Sequence, residues 1–177
     1  RPQWKIRMKL TLAAFAISLA MQPTFGVAAS LELERFIPGS PLLNPIKLAA
    51  PTGDTENVYL LDRTSGTVTA HNIATGVAAP APFLTLPADF QPGTYYNAFS
   101  ITFAPDYAQS GKVYVSYVDV RDNLQVSVAT RSTTSPDQID PLSFRSIINV
   151  KHDPVGPGTH YGADLDFGPD GYLYITT

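Results

Sequence analysis

Apolar and polar positions alternate along this chain in short runs, and turn-forming residues close nearly every run. Val58 to Asp62 is an apolar run closed by Arg63-Thr64-Ser65-Gly66, and Thr67 to Ile73 follows with alternation. The pair predicts a hairpin with a glycine-containing turn. Phe83 to Leu86 predicts a short strand between prolines. Ser100–Phe103 and Lys112–Asp119 flank the loop Ala104 to Gly111, and Arg121-Asp122-Asn123 is a turn before a strand over Leu124–Thr130. Further strands are predicted over Phe144–Val150, Asp164–Phe167 and Tyr172–Thr176. No stretch after Ser30 sustains a period near 3.6, so no long helix is predicted. Sixteen prolines and twelve glycines fit the same all-β reading.

The strands repeat. Ile101-Thr102-Phe103-Ala104-Pro105-Asp106 followed by Lys112-Val113-Tyr114-Val115 matches Leu165-Asp166-Phe167-Gly168-Pro169-Asp170 followed by Tyr172-Leu173-Tyr174-Ile175. Phe103 and Phe167 stand 64 residues apart, and Asn57 to Leu61 is a weaker third copy. A repeated unit of about four strands predicts antiparallel blades of a β-propeller. Blade one is expected over about Asn44–Asp89 and blade two over about Ser100–Val150, with only a first hairpin of blade three, about two and a half blades in all. In this arrangement the loops Asp89–Phe99 and Lys151–Tyr161 both open at the mouth of the central channel. His160 and the Tyr95-Tyr96-Asn97 cluster are then expected as neighbours. A propeller closes its ring to bury its blade faces, so a chain of this extent is not expected to form a stable, active propeller alone.

Charge and the chain ends add context. The net charge of −3 leaves no basic footprint for nucleic acid. The absence of cysteine excludes disulfides and thiolate metal sites. Lys5, Arg7 and Lys9 precede an apolar stretch from Leu10 to Met21, and Val27-Ala28-Ala29 offers a small-residue cleavage site before Ser30. Residues 1–29 therefore read as a signal peptide. The apolar stretch falls short of the ~20 residues of a membrane span, so no stable membrane insertion is expected after cleavage. Residues 30–177 read as the N-terminal part of a truncated propeller domain. The opening Arg1 to Arg7 reads as translated sequence upstream of a natural start at Met8.

His160 is the candidate for chemistry. It stands just ahead of the strand at Leu165, and an imidazole with a pKa near ~6.5 is poised as a general base at neutral pH. Taken alone, such a histidine reads as a loop residue that caps a turn; the motif around it is what turns the reading towards a base. His152, Asp153, His160 and Asp164 fit no standard zinc spacing, and Asp164, Asp166 and Asp170 fail the oxygen-ligand pattern of a calcium loop, so no metal site is expected here. Leu165 and Phe167 alternate with Asp164 and Asp166, as in a strand with one wet face. Tyr114, Tyr117, Tyr172 and Tyr174 read as blade packing, and His71 as a solvated residue on an outer strand.

The segments Phe103 to Tyr117 and His160-Tyr161-Gly162-Ala163-Asp164-Leu165-Asp166-Phe167-Gly168-Pro169-Asp170-Gly171-Tyr172-Leu173-Tyr174 resemble the glucose/sorbosone dehydrogenase family. The resemblance runs from about Asn44 to Thr177. It implies a six-bladed propeller, a periplasmic or secreted location, and pyrroloquinoline quinone (PQQ) with calcium as cofactors. It implies oxidation of an aldose at the anomeric carbon, with His160 taking the hydroxyl proton and hydride passing to the quinone. Its partners would be a small-molecule sugar and a periplasmic electron acceptor. The family carries Glu or Gln followed by Gly-Leu-Leu where this chain has Tyr95-Tyr96-Asn97-Ala98-Phe99, so Tyr95, Tyr96 and Asn97 are the candidate substrate contacts, in altered form. Thr159 and Ala163 also depart from the pattern, the latter in place of glycine. The calcium ligands and the basic residues for the quinone are implied beyond Thr177. The alternative is a non-catalytic ligand- or protein-binding propeller on the same scaffold, which the changed Tyr95–Phe99 loop favours. A propeller lactonase would need channel carboxylates that the sequence does not show.

Overall fold

A computed structural model describes residues 4–9, 30–35, 44–90, 92, 98–151 and 161–177. It divides into two compact units, Arg1–Ser40 and Pro41–Thr177. In the first unit β1 (Trp4–Lys9) pairs antiparallel with β2 (Ser30–Arg35), and the register sets Lys5 opposite Glu34 and Arg7 opposite Glu32. Neither strand was expected from the sequence. The apolar run Leu10–Met21 and the Val27–Ala29 site lie outside the described residues.

The second unit is built from two four-stranded antiparallel sheets and a hairpin. The first sheet is β3 (Pro45–Ala49), β4 (Asn57–Asp62), β5 (Thr67–Asn72) and β6 (Leu84–Thr85), in that order. The second is β7 (Ala98–Phe103), β8 (Lys112–Val118), β9 (Leu124–Thr130) and β10 (Arg145–Val150), again in chain order. β11 (Leu165–Phe167) and β12 (Leu173–Ile175) form the hairpin. Four meandering strands per sheet are the blades of a propeller, and the hairpin is the start of a third. β8 and β9 are largely buried on both faces, as the middle strands of a blade must be, whereas every residue of β10 is exposed.

The turns are fixed by carboxylates. Asp62 Oδ1 accepts from Thr64 N at 3.0 Å and Ser65 N at 2.8 Å, and its Oδ2 accepts from Asn44 N at 3.0 Å. Asp119 repeats the device one blade later, accepting from Arg121 N at 2.8 Å and Asn123 N at 3.0 Å. For both, burial pushes the carboxyl up, but these hydrogen bonds outweigh it and hold each carboxyl below its ordinary value. The two Pro-Asp loops diverge with their length. After Ala104 the chain makes one helical turn, α1 (Tyr107–Ser110), closed by Gly111 at φ 63°. After Gly168 it makes a tight turn in which Gly171 N donates to Gly168 O at 2.9 Å.

The core joins the two sheets. Tyr59 and Phe83 of the first meet Phe103 of the second, with ring centroids 4.5 Å (Tyr59–Phe83) and 4.9 Å (Tyr59–Phe103) apart. Arg131 lies over the ring of Tyr107, 5.3 Å from its centroid, on the same cluster. Backbone hydrogen bonds cross between the sheets as well, Ala98 N to Arg63 O at 3.0 Å and Ile139 N to Phe83 O at 2.8 Å.

Three expectations change. His71 is not solvated: it is 2% exposed, because the turn after Asn72 folds back and sets Gly76 O 3.2 Å from Nδ1. Among the described residues Tyr172 and Tyr174 do not pack; they are 72% and 57% exposed, and Tyr174 Oη donates to Asp170 Oδ2 at 2.8 Å. Tyr114 and Tyr117 do pack, Tyr114 edge-on to Phe167 at 5.2 Å and Tyr117 fully inside the second sheet.

Candidate active site

The segments that precede β7 and β11 carry the residues singled out by the sequence. Tyr95, Tyr96, Asn97 and His160 lie outside the described residues, as do Thr159, His152 and Asp153. Their immediate neighbours in sequence are described, and these meet. Phe99 packs against Tyr161 with ring centroids 6.0 Å apart. Tyr161 is buried with Val118, Leu124 and Ala163, and its hydroxyl donates to Asp122 Oδ1.

The backbone after Tyr161 is held in a sparsely populated conformation. Gly162 has φ 68° and Ala163 φ 81°. At Gly162 an added Cβ would meet the Thr177 backbone at 2.8 Å, so only glycine fits. Ala163 has a Cβ in the left-handed region, which costs an L-residue roughly 1–2 kcal/mol. The departure from glycine at this position is therefore a strained one. Two bonds pin the residue: Ser116 Oγ donates to Ala163 O at 2.6 Å, and Ala163 N donates to Thr176 O at 2.7 Å.

One residue further, Asp164 gathers a polar cluster. Its Oδ1 accepts from Lys47 Nζ at 2.6 Å and from Ser100 Oγ at 2.8 Å, and Ser100 Oγ in turn accepts from Leu165 N at 3.1 Å. The Lys47 ammonium holds the Asp164 carboxyl below its ordinary value; partial burial opposes this and Ser100 reinforces it. Asp164 therefore stays ionised at neutral pH. Sequence reading missed Lys47 and Ser100. The signal for Ser100 was the 64-residue repeat, which sets it level with Asp164; Lys47 lies ahead of the weak third copy and is placed only by the pairing of β3 with β4.

Among the described residues no group of three His, Cys, Asp or Glu side chains could hold a metal ion. Lys47 is the one cationic side chain on β3, β7 and β11, and it is already engaged by Asp164. A quinone bearing several carboxylates needs more cationic donors than that. The described residues do not by themselves fit PQQ or calcium.

The fold is a β-propeller, and residues 89–177 match the family model described as Glucose / Sorbosone dehydrogenase. The chain belongs to that family. It is 35% identical over 92 residues to hedgehog-interacting protein from Mus musculus, covering 47% of this chain and 13% of that protein. It is 30% identical over 76 residues to aldose sugar dehydrogenase YliI from Escherichia coli strain K12, covering 42% of this chain and 20% of that protein. Among solved structures it is similar to the PQQ-bound form of aldose sugar dehydrogenase from Streptomyces coelicolor, with TM-score 0.60 and 24% identity, over 75% of this chain and 37% of that one. The soluble aldose sugar dehydrogenase from Escherichia coli in its apo form gives TM-score 0.58 and 24% identity, over 75% of this chain and 37% of that one. The chain thus spans a small part of the curated relatives and little more than a third of these structures.

Proposed function

We propose that the intact protein carrying this sequence oxidises an aldose or related sugar at its anomeric carbon, as a PQQ-dependent enzyme. The family match over residues 89–177, which contains the His160 segment, carries this reading. His160 is the general base that receives the proton of the anomeric hydroxyl. The Tyr161 packing and the pinned Ala163 peptide support it by fixing the chain just beyond that residue. PQQ, when bound with calcium, supplies the electron sink, and its ligands lie outside the described residues. Residues 1–29 direct export, so the sugar is met in the periplasm or outside the cell, and a periplasmic acceptor takes the electrons.

The test is dye reduction by the intact protein, reconstituted with PQQ and calcium, across a panel of aldoses. Turnover that disappears in His160→Ala is the expected result. No turnover, or full turnover in the variant, sinks the assignment.

A second reading is a binding propeller without catalysis. The 35% identity to a hedgehog-interacting protein and the altered Tyr95–Phe99 loop favour it. It predicts no sugar oxidation under the same conditions and no basic residues on the later channel loops.

A further inference from the structure

The innermost strands β3, β7 and β11 lie side by side, and one polar residue occupies the same register on each. Leu48 pairs with Leu60, Ile101 with Val115 and Leu165 with Ile175. The residue immediately before each of these is Lys47, Ser100 and Asp164. Three blades thus place an ammonium, a hydroxyl and a carboxylate at one level of the inner wall, bonded to one another across the blade boundaries.

The cluster is not closed. Asp164 Oδ1 takes both bonds, whereas Oδ2 has no hydrogen-bond partner among the described residues. The Asp164 side chain is 61% exposed and that of Lys47 26%. An ammonium has three donors, and Lys47 spends one of them here. The cluster therefore presents a fixed acceptor beside spare donors, four residues after His160 in the chain. An anionic ligand would be repelled by the carboxylate, and an apolar one would leave it without a partner. A pair of adjacent hydroxyls satisfies both groups at once.

Resting on the proposed sugar oxidation, we infer that Asp164 is a substrate-contact residue: its free carboxylate oxygen accepts a hydrogen bond from a sugar hydroxyl, while Lys47 and Ser100 hold the carboxylate in position. Asp164 thereby helps decide which hydroxyl arrangement is accepted.

The test titrates the intact protein with D-glucose, D-galactose, D-xylose and maltose by calorimetry, with and without added PQQ and calcium, alongside steady-state kinetics of the reconstituted enzyme. Asp164→Asn keeps the size of the side chain and can still accept from Ser100. It should weaken binding of the preferred sugar by about tenfold to a hundredfold, the scale of one lost charge-assisted hydrogen bond. The loss should appear in KM more than in kcat and should change the order of preference among the sugars. Lys47→Met, which leaves the carboxylate in place but unanchored, should weaken binding by about threefold or more. It decides the matter if Asp164→Asn does not fold. Sugar binding by the wild type with unchanged affinity in the folded variants overturns this inference alone. No sugar binding by the wild type overturns the proposed activity and this inference with it.

Discussion

Ser116→Ala isolates one hydrogen bond at the candidate site. The substitution removes an oxygen and no carbon, so it leaves almost no cavity. Ser116 and Ala163 are both 0% exposed, and the bond between Ser116 Oγ and Ala163 O is 2.6 Å long. Without it a buried carbonyl loses its partner, which costs about 1–3 kcal/mol. Water cannot replace the hydroxyl unless the cluster of Val118, Leu124, Tyr161 and Ala163 opens. The peptide is also strained at φ 81°, so a lost restraint is not offset by backbone preference. A destabilisation near the middle of the range, about 2 kcal/mol, is expected. Urea unfolding of the intact protein should show it as a lower midpoint with unchanged slope. Native-state hydrogen exchange should show a faster Ala163 amide, which donates to Thr176 O. A change below about 0.5 kcal/mol with unaltered exchange would refute the argument, since it falls under the cost of any buried unpaired carbonyl.

Other outcomes follow, the first from the proposed function and the rest from the structure. His160→Ala should lower sugar turnover by about 10²–10⁴, and wild-type kcat/KM should fall below pH ~6.5 as the imidazole protonates; a flat acid limb in the wild type counts against the base. Asp62 has its carboxyl lowered from 3.8 in the folded state, so its contribution to stability is complete above that value and is lost as pH falls below it towards the folded value. Asp62→Asn should therefore flatten the stability curve at acid pH, and parallel curves for variant and wild type between pH 6 and 2 would contradict this. Ala163→Gly should raise stability by about 0.5–1 kcal/mol, as the left-handed strain outweighs the entropy of glycine; a loss would mean that burial of the methyl group matters more. Phe83→Ala should cost about 3–5 kcal/mol in denaturant unfolding, because its ring is held between the two sheets; a loss under about 1 kcal/mol would deny that core.

Much of the fold is legible where local pattern and tertiary burial agree. Leu124–Thr130 begins and ends where alternation and the Arg121–Asn123 turn place it. β3 is not legible, because Pro45-Ile46-Lys47-Leu48-Ala49 lies in a proline-flanked stretch and becomes a strand through pairing with β4. His71 shares its alternate positions with Thr67 and Thr69, so pattern sets it on the polar face; a turn that folds back over it makes that face an interior. The tyrosines of the two Val-Tyr-Val-like strands look alike in sequence, yet Tyr114 meets Phe167 while Tyr174 turns to Asp170. At the site, motif spacing singles out His160 but says nothing of Lys47, which lies 117 residues from its partner Asp164. Only the register of three separate strands brings those two together.

The shared core of the first two sheets has a consequence for how they come apart. One continuous cluster runs from Tyr59, Val68 and Phe83 through Phe103, Val113 and Tyr117 without a break at the blade boundary. Repeats that touch only along thin seams can open one at a time, whereas repeats with a common interior share the cost of opening. The unit of cooperative opening here is the pair of blades, so amides of β4 and β8 should lose exchange protection together and with one free energy.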